Sequence, residues 1–84
     1  MIVVSFESTH HAIFAETMFQ KSALAMMTIP TPREVDRSCG ISIRIGEEDI
    51  EEAKRIIERY RIGCRGIYEV VKGEKAKRLY PKEK

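Results

Sequence analysis

Two cysteines, two histidines and one proline-framed loop are the parts of this 84-residue chain able to do chemistry rather than pack. The loop reads Pro30-Thr31-Pro32-Arg33-Glu34-Val35-Asp36-Arg37-Ser38-Cys39-Gly40. A cysteine reacts as its thiolate, and positive charge such as that of Arg33 and Arg37 lowers a thiol pKa from its usual value of about 8.5. Cys39 would then be a nucleophile, or an acceptor of sulfur, at neutral pH. The prolines fix φ and remove backbone donors, so the chain enters the loop along a stiffened path. Gly40 leaves Cys39 without a bulky neighbour on its C-terminal side. A single thiol beside two arginines is equally readable as inert and partly buried, and these residue types leave both readings open.

Cys64 supplies a second thiol. There is no Cys-x-x-Cys, which argues against a zinc knuckle or a thioredoxin-like pair, and in a reducing compartment both residues default to thiols. His10 and His11 are adjacent at a helix start, beside Thr9, so at most one of them can face Cys39. Either could join Cys39 and Cys64 as a soft donor set for zinc or copper. Exposure in the capping turn is the expected state instead, and neither a metal nor a cofactor is expected.

The elements that must position these residues follow from periodicity. Ile2, Val4 and Phe6 alternate with Val3, Ser5 and Glu7 as a first strand. Ser8 and Thr9 are competent N-caps for a helix over 10–21, whose Ala12, Ala15 and Phe19 share a face. A short strand over 25–29 ends at Pro30, and Ile41, Ile43 and Ile45 alternate in another. Ile50, Ala53, Ile57 and Tyr60 mark a second helix, with Asp49 and Glu52 spaced as a capping box and Gly63 placed to close it. A last strand spans 67–71. This order, βαββαβ, predicts an α+β ferredoxin-like split βαβ fold: a four-stranded antiparallel sheet with two helices on one face. Right-handed crossovers then bring three connections, 8–11, 30–40 and 62–64, to one edge, where Thr9, His10, His11, Arg33, Cys39 and Cys64 collect.

Length and composition bound the rest. Eighty-four residues, 43% hydrophobic and 33% charged, suit one small domain over 1–71 and leave no room for a large buried cofactor. Residues 72–84 form a basic C-terminal tail, expected to be flexible. The apolar stretch at 1–6 is too short for a secretory signal, and no run approaches the roughly 20 residues that cross a bilayer. The expectation is a cytoplasmic protein with no membrane partner.

Pro32-Arg33, then Ser38-Cys39-Gly40-Ile41-Ser42-Ile43-Arg44, preceded by Phe6-Glu7-Ser8-Thr9-His10 and followed by Gly66-Ile67-Tyr68, resembles the family called "Putative Se/S carrier protein-like", over roughly residues 2–71. The resemblance implies a role in selenium or sulfur handling, with Cys39 as carrier thiol and Arg33 and Gly40 as its loop partners. Such a protein is a carrier more than a turnover enzyme, and its partners are sulfur or selenium donor and acceptor proteins. Cys64 and the tail fall outside the pattern, and a second thiol at the same edge could resolve a persulfide into a disulfide. The competing reading is a protein-interaction or regulatory module of the same fold, working as a homodimer. Nucleic acid is not an expected partner, because a net charge of +2 is low and the central strands offer no outward aromatic pair for base stacking.

Overall fold

The computed structural model describes residues 1–37 and 40–81. Along them run β1 (Ile2–Phe6), α1 (Thr9–Lys21), β2 (Met26–Pro30), β3 (Ile41–Ile45), a 3-10 turn (Glu47–Asp49), α2 (Ile50–Arg59), β4 (Cys64–Glu69) and β5 (Lys77–Tyr80). All strand pairings are antiparallel, and the sheet runs β2-β3-β1-β4-β5. The expected sheet of four strands is thus corrected to five. The fifth comes from the basic segment, where Lys77 lies opposite Glu69 and Tyr80 opposite Ile67. Leu79 and Tyr80 pack against the core, which gives that segment an apolar anchor its charges concealed.

One face of the sheet carries both helices. Ile2, Val4, Phe6, Ile43, Ile45 and Ile67 meet Ala12, Ala15 and Phe19 of α1 and Ala53, Ile56 and Ile57 of α2 in a single cluster. The two alanines of α1 let that helix settle close to the sheet, while Phe19, fully buried, fills the core beside them.

Both helices stop by the same device. Ala23 (φ 60°) and Arg61 (φ 53°) are left-handed. Leu24 N–H then donates to Phe19 and Ile62 N–H to Ile57, the long-range bond of a Schellman turn in each case. Gly63 therefore does not close α2; Arg61 does. A left-handed L-residue costs roughly 1–2 kcal/mol, which is offset by returning Leu24 and Ile62 to the apolar cluster. The capping box also fails to form: Asp49 occupies the N-cap, but its side chain makes no capping bond. The preceding 3-10 turn supplies the entry to the helix instead, with Asp49 N–H donating to the Gly46 carbonyl.

The second face of the sheet is covered as well. Val3, Ser5 and Ser42 are all buried although none faces a helix. Ser5 sits opposite Ser42 on one side and Gly66 on the other, so a row of small residues crosses the three central strands. The 31–37 segment runs over this row. It is tied at one end by Thr31 Oγ1 to Ser42 Oγ (2.7 Å) and further along by Asp36 Oδ2 to Arg65 (2.7 Å).

Candidate functional site

The long connection between β2 and β3 begins as the prolines dictate. Pro32 opens a turn closed by Val35 N–H and Asp36 N–H, which both donate to the Pro32 carbonyl. Arg33 and Glu34 stand at the outer side of that turn. At its far end Thr31 N–H donates to the Gly40 carbonyl, so the base of the loop is a continuation of the β2–β3 ladder. Cys39, the expected carrier thiol, lies with Ser38 outside the described residues. Gly40, its neighbour in the chain, is described.

Gly40 lines a cavity of about 100 Å3, together with Ser5, Phe6, Glu7, Ser8, Thr9, Thr31, Asp36, Ile41 and Arg65. Three connections supply its walls. β1 delivers Ser8, the N-cap of α1, whose Oγ accepts from His11 N–H at 3.4 Å. β4 bulges where its register shifts between Ser5 and Phe6, and Arg65 stands at that irregularity, its guanidinium held by Asp36. The loop contributes Thr31, Asp36 and Gly40. The remaining amide hydrogens of the first turn of α1 favour an anion at this corner, and of the charged side chains lining it Arg65 is paired with Asp36 while Glu7 stands beside them.

The expected site residues are distributed around this corner in distinct ways. Thr9 lines the cavity and is exposed. His10 is exposed at the start of α1. His11 turns inward, where its Nδ1 accepts from Gly63 N–H at 2.9 Å, so a neutral His11 carries its proton on Nε2. Glu7 N–H donates to the Gly63 carbonyl at 2.9 Å, completing the junction of 62–64 with the end of β1. A Cβ at position 63 would lie 2.7 Å from His11 Nε2 and 2.9 Å from the Glu7 carboxylate, so this position needs glycine for close approach. Arg33 does not line the Gly40 cavity. It borders a separate depression of about 550 Å3 with Glu34, Arg37, Gly73 and Glu74.

Cys64 opens β4 opposite Phe6 and packs against the apolar cluster. Burial pushes its thiol up from 9.0 to about 11; a backbone hydrogen bond from Gly66 opposes that shift and the Glu7 carboxylate reinforces it. At neutral pH it holds its proton and is a poor nucleophile. Among the described residues no group of three His, Cys, Asp or Glu could hold a metal ion, and no helix is long and apolar enough to cross a membrane.

Arg65 is the residue that reading the sequence missed. Its signal was present: a single cation following Cys64 in a strand whose other early residues are small or apolar. What hid it was the strand boundary, expected at 67 and found at 64.

The fold and this corner define a small α+β domain whose polar chemistry is gathered where one helix starts and three connections meet. A family model described as "Putative Se/S carrier protein-like" matches residues 1–69, and the chain belongs to that family. No curated protein and no solved structure matches the chain. β5 lies beyond the matched residues.

Proposed function

We propose that this protein carries sulfane sulfur or selenium on Cys39. The observation that supports this most is the position of Gly40: the residue next to Cys39 lines a small polar cavity with the start of α1 and with Arg65. A thiolate near a helix N-terminus and a guanidinium is stabilised as an anion, and so is the persulfide or selenopersulfide it becomes. In this reading β1–β4 are the ferredoxin-like split βαβ core, to which β5 is an addition.

The transfer step balances without any external oxidant. The Cys39 thiolate attacks the outer sulfur of a donor protein's persulfide; the new S–S bond forms as the donor's S–S bond breaks, and the donor leaves as a thiolate. Delivery reverses the roles, with an acceptor thiolate attacking the outer sulfur on Cys39. Gly40, exposed, adds no side chain next to Cys39 to obstruct a partner. In this reading Arg65 serves the anion, and Arg33, exposed on the turn after Pro32, meets the docking protein. Cys64, protonated and packed against the core, stays out of the exchange.

Incubation with a cysteine desulfurase and cysteine, followed by intact mass measurement, tests this. The wild type and Cys64→Ser should each gain the mass of one sulfur atom, removable by a reductant, and Cys39→Ala should gain none. Undiminished loading of Cys39→Ala would refute the assignment. Arg65→Gln should load more slowly at neutral pH and recover as pH rises, whereas a purely structural role for Arg65 would leave that pH profile unmoved.

A further inference from the structure

The sheet ends on two strands, and they are built differently. β5 reads Lys77-Arg78-Leu79-Tyr80 and carries two cations. The β2 run, Met26-Met27-Thr28-Ile29-Pro30, carries no charge, and Ala25 before it carries none either. Among the described residues no strand pairs with the outer side of β2. A strand edge of this kind is a template for another strand, and proteins ordinarily blunt it with lysine, proline or a bulge. β2 pairs with β3 without a register shift, and its only proline is the last residue.

The direction of its backbone groups can be read from the ladder. Thr31 N–H donates to the Gly40 carbonyl across the β2–β3 pair. Antiparallel pairing alternates, so Ile29 and Met27 also turn their backbone groups toward β3, and Met26, Thr28 and Pro30 turn theirs outward. Pro30, which has no N–H, thus occupies a position where no inner bond is lost.

We infer that β2 is the interface of a homodimer, two copies pairing antiparallel about a two-fold axis at Thr28 to make one continuous sheet. The strand is self-complementary in that register. Thr28 faces Thr28 of the second copy, and the two exchange both backbone bonds. Met26 N–H reaches the Pro30 carbonyl of the other copy, so the missing proline donor costs only one bond on each side. On the second face Met27, 59% exposed, meets the half-buried Ile29 across the axis, twice by symmetry. No like charges lie in the strands that meet. The flanking charged groups are Arg44, opposite Met27 on one face, and Glu16, which accepts the Thr28 hydroxyl at 2.9 Å on the other. This inference is independent of the carrier reading.

Sedimentation equilibrium over a wide concentration range tests it. The wild type should approach twice the single-chain mass of 9.7 kDa. Met27→Lys and Thr28→Pro should each weaken association about tenfold or more, because each change acts twice across the axis. Lys77→Ser, on the opposite edge, should leave association unchanged. Thr28→Cys, in a chain with Cys39→Ser and Cys64→Ser, should cross-link two copies on mild oxidation, since facing residues of a hydrogen-bonded pair lie about 5.5 Å apart. A chain that stays at the single-chain mass at every concentration would overturn the inference. So would a dimer that survives Met27→Lys with Thr28→Cys still reduced.

Discussion

The two helices of this protein begin in opposite electrostatic circumstances. α2 starts among its own carboxylates, with Glu47, Glu48 and Asp49 in the turn before it and Glu51 and Glu52 in its first turn. α1 starts as Ser8-Thr9-His10-His11, with no acid in its first turn. Glu7 precedes it, but its carboxylate stands against Gly63 and raises the Cys64 thiol. Asp36, the other nearby acid, is paired with Arg65. A helix start favours negative charge. At α2 the chain meets that preference internally, for stability. At α1 it is left to whatever anion the adjoining cavity receives, and Gly40 puts the loop of Cys39 on that cavity's wall.

The largest effect that sharpens this contrast concerns the thiol kept away from the α1 start. Native Cys64 holds its proton to about 11, whereas its unperturbed value is 9.0. The unfolded chain therefore binds fewer protons as pH rises through that window, and stability falls there. Two pKa units correspond to roughly 2–3 kcal/mol. Urea unfolding at two pH values bracketing the window should show this loss in the wild type and a flatter profile in Cys64→Ser.

Removing the α1 cap comes next. Ser8→Ala should cost about 1 kcal/mol, read as a lower urea midpoint with an unchanged slope. Ser8→Asp keeps a competent cap but gives α1 the carboxylate that α2 already has. It should leave stability near that of the wild type while raising the pKa of Cys39 by about half a unit, read from its alkylation rate. If Cys39 reactivity ignored Ser8→Asp, the two helix starts would not differ in the way argued. The smallest effect is at α2: Glu51→Gln with Glu52→Gln should cost about 0.3–1 kcal/mol and leave Cys39 alkylation unchanged.

Much of this arrangement could be read before folding, for reasons visible in single residues. Period-two alternation at Ile2–Phe6 and Ile41–Ile45 marks strands whose faces differ, and both were found at those bounds. Ala12, Ala15 and Phe19 are the buried residues of α1, as their spacing required. Topology led to the meeting of 8–11 with 62–64, which the Glu7–Gly63 and His11–Gly63 bonds make, and the Asp36–Arg65 pair brings the described part of 30–40 beside them.

What escaped had competing local signals. Gly63 looks like a helix stop, but its small size serves the His11 contact, and Arg61 accepts the left-handed position because Ile62 is drawn to the core. β5 hid behind Lys77 and Arg78; only Leu79 and Tyr80 announce it. Ser5, Ser42 and Gly66 face away from the helices, and it is their small size, which alternation alone does not reveal, that lets the loop lie across the sheet. Arg65 was hidden by a strand boundary set three residues late.

The most direct measurement is the pH dependence of the alkylation rate of Cys39 in a Cys64→Ser chain. On the proposed carrier reading, in which the α1 start and Arg65 serve the Cys39 anion, this thiol should titrate below the reference of about 8.5. A midpoint at or above that reference would show that the corner does not stabilise the Cys39 anion, and the carrier account would fail.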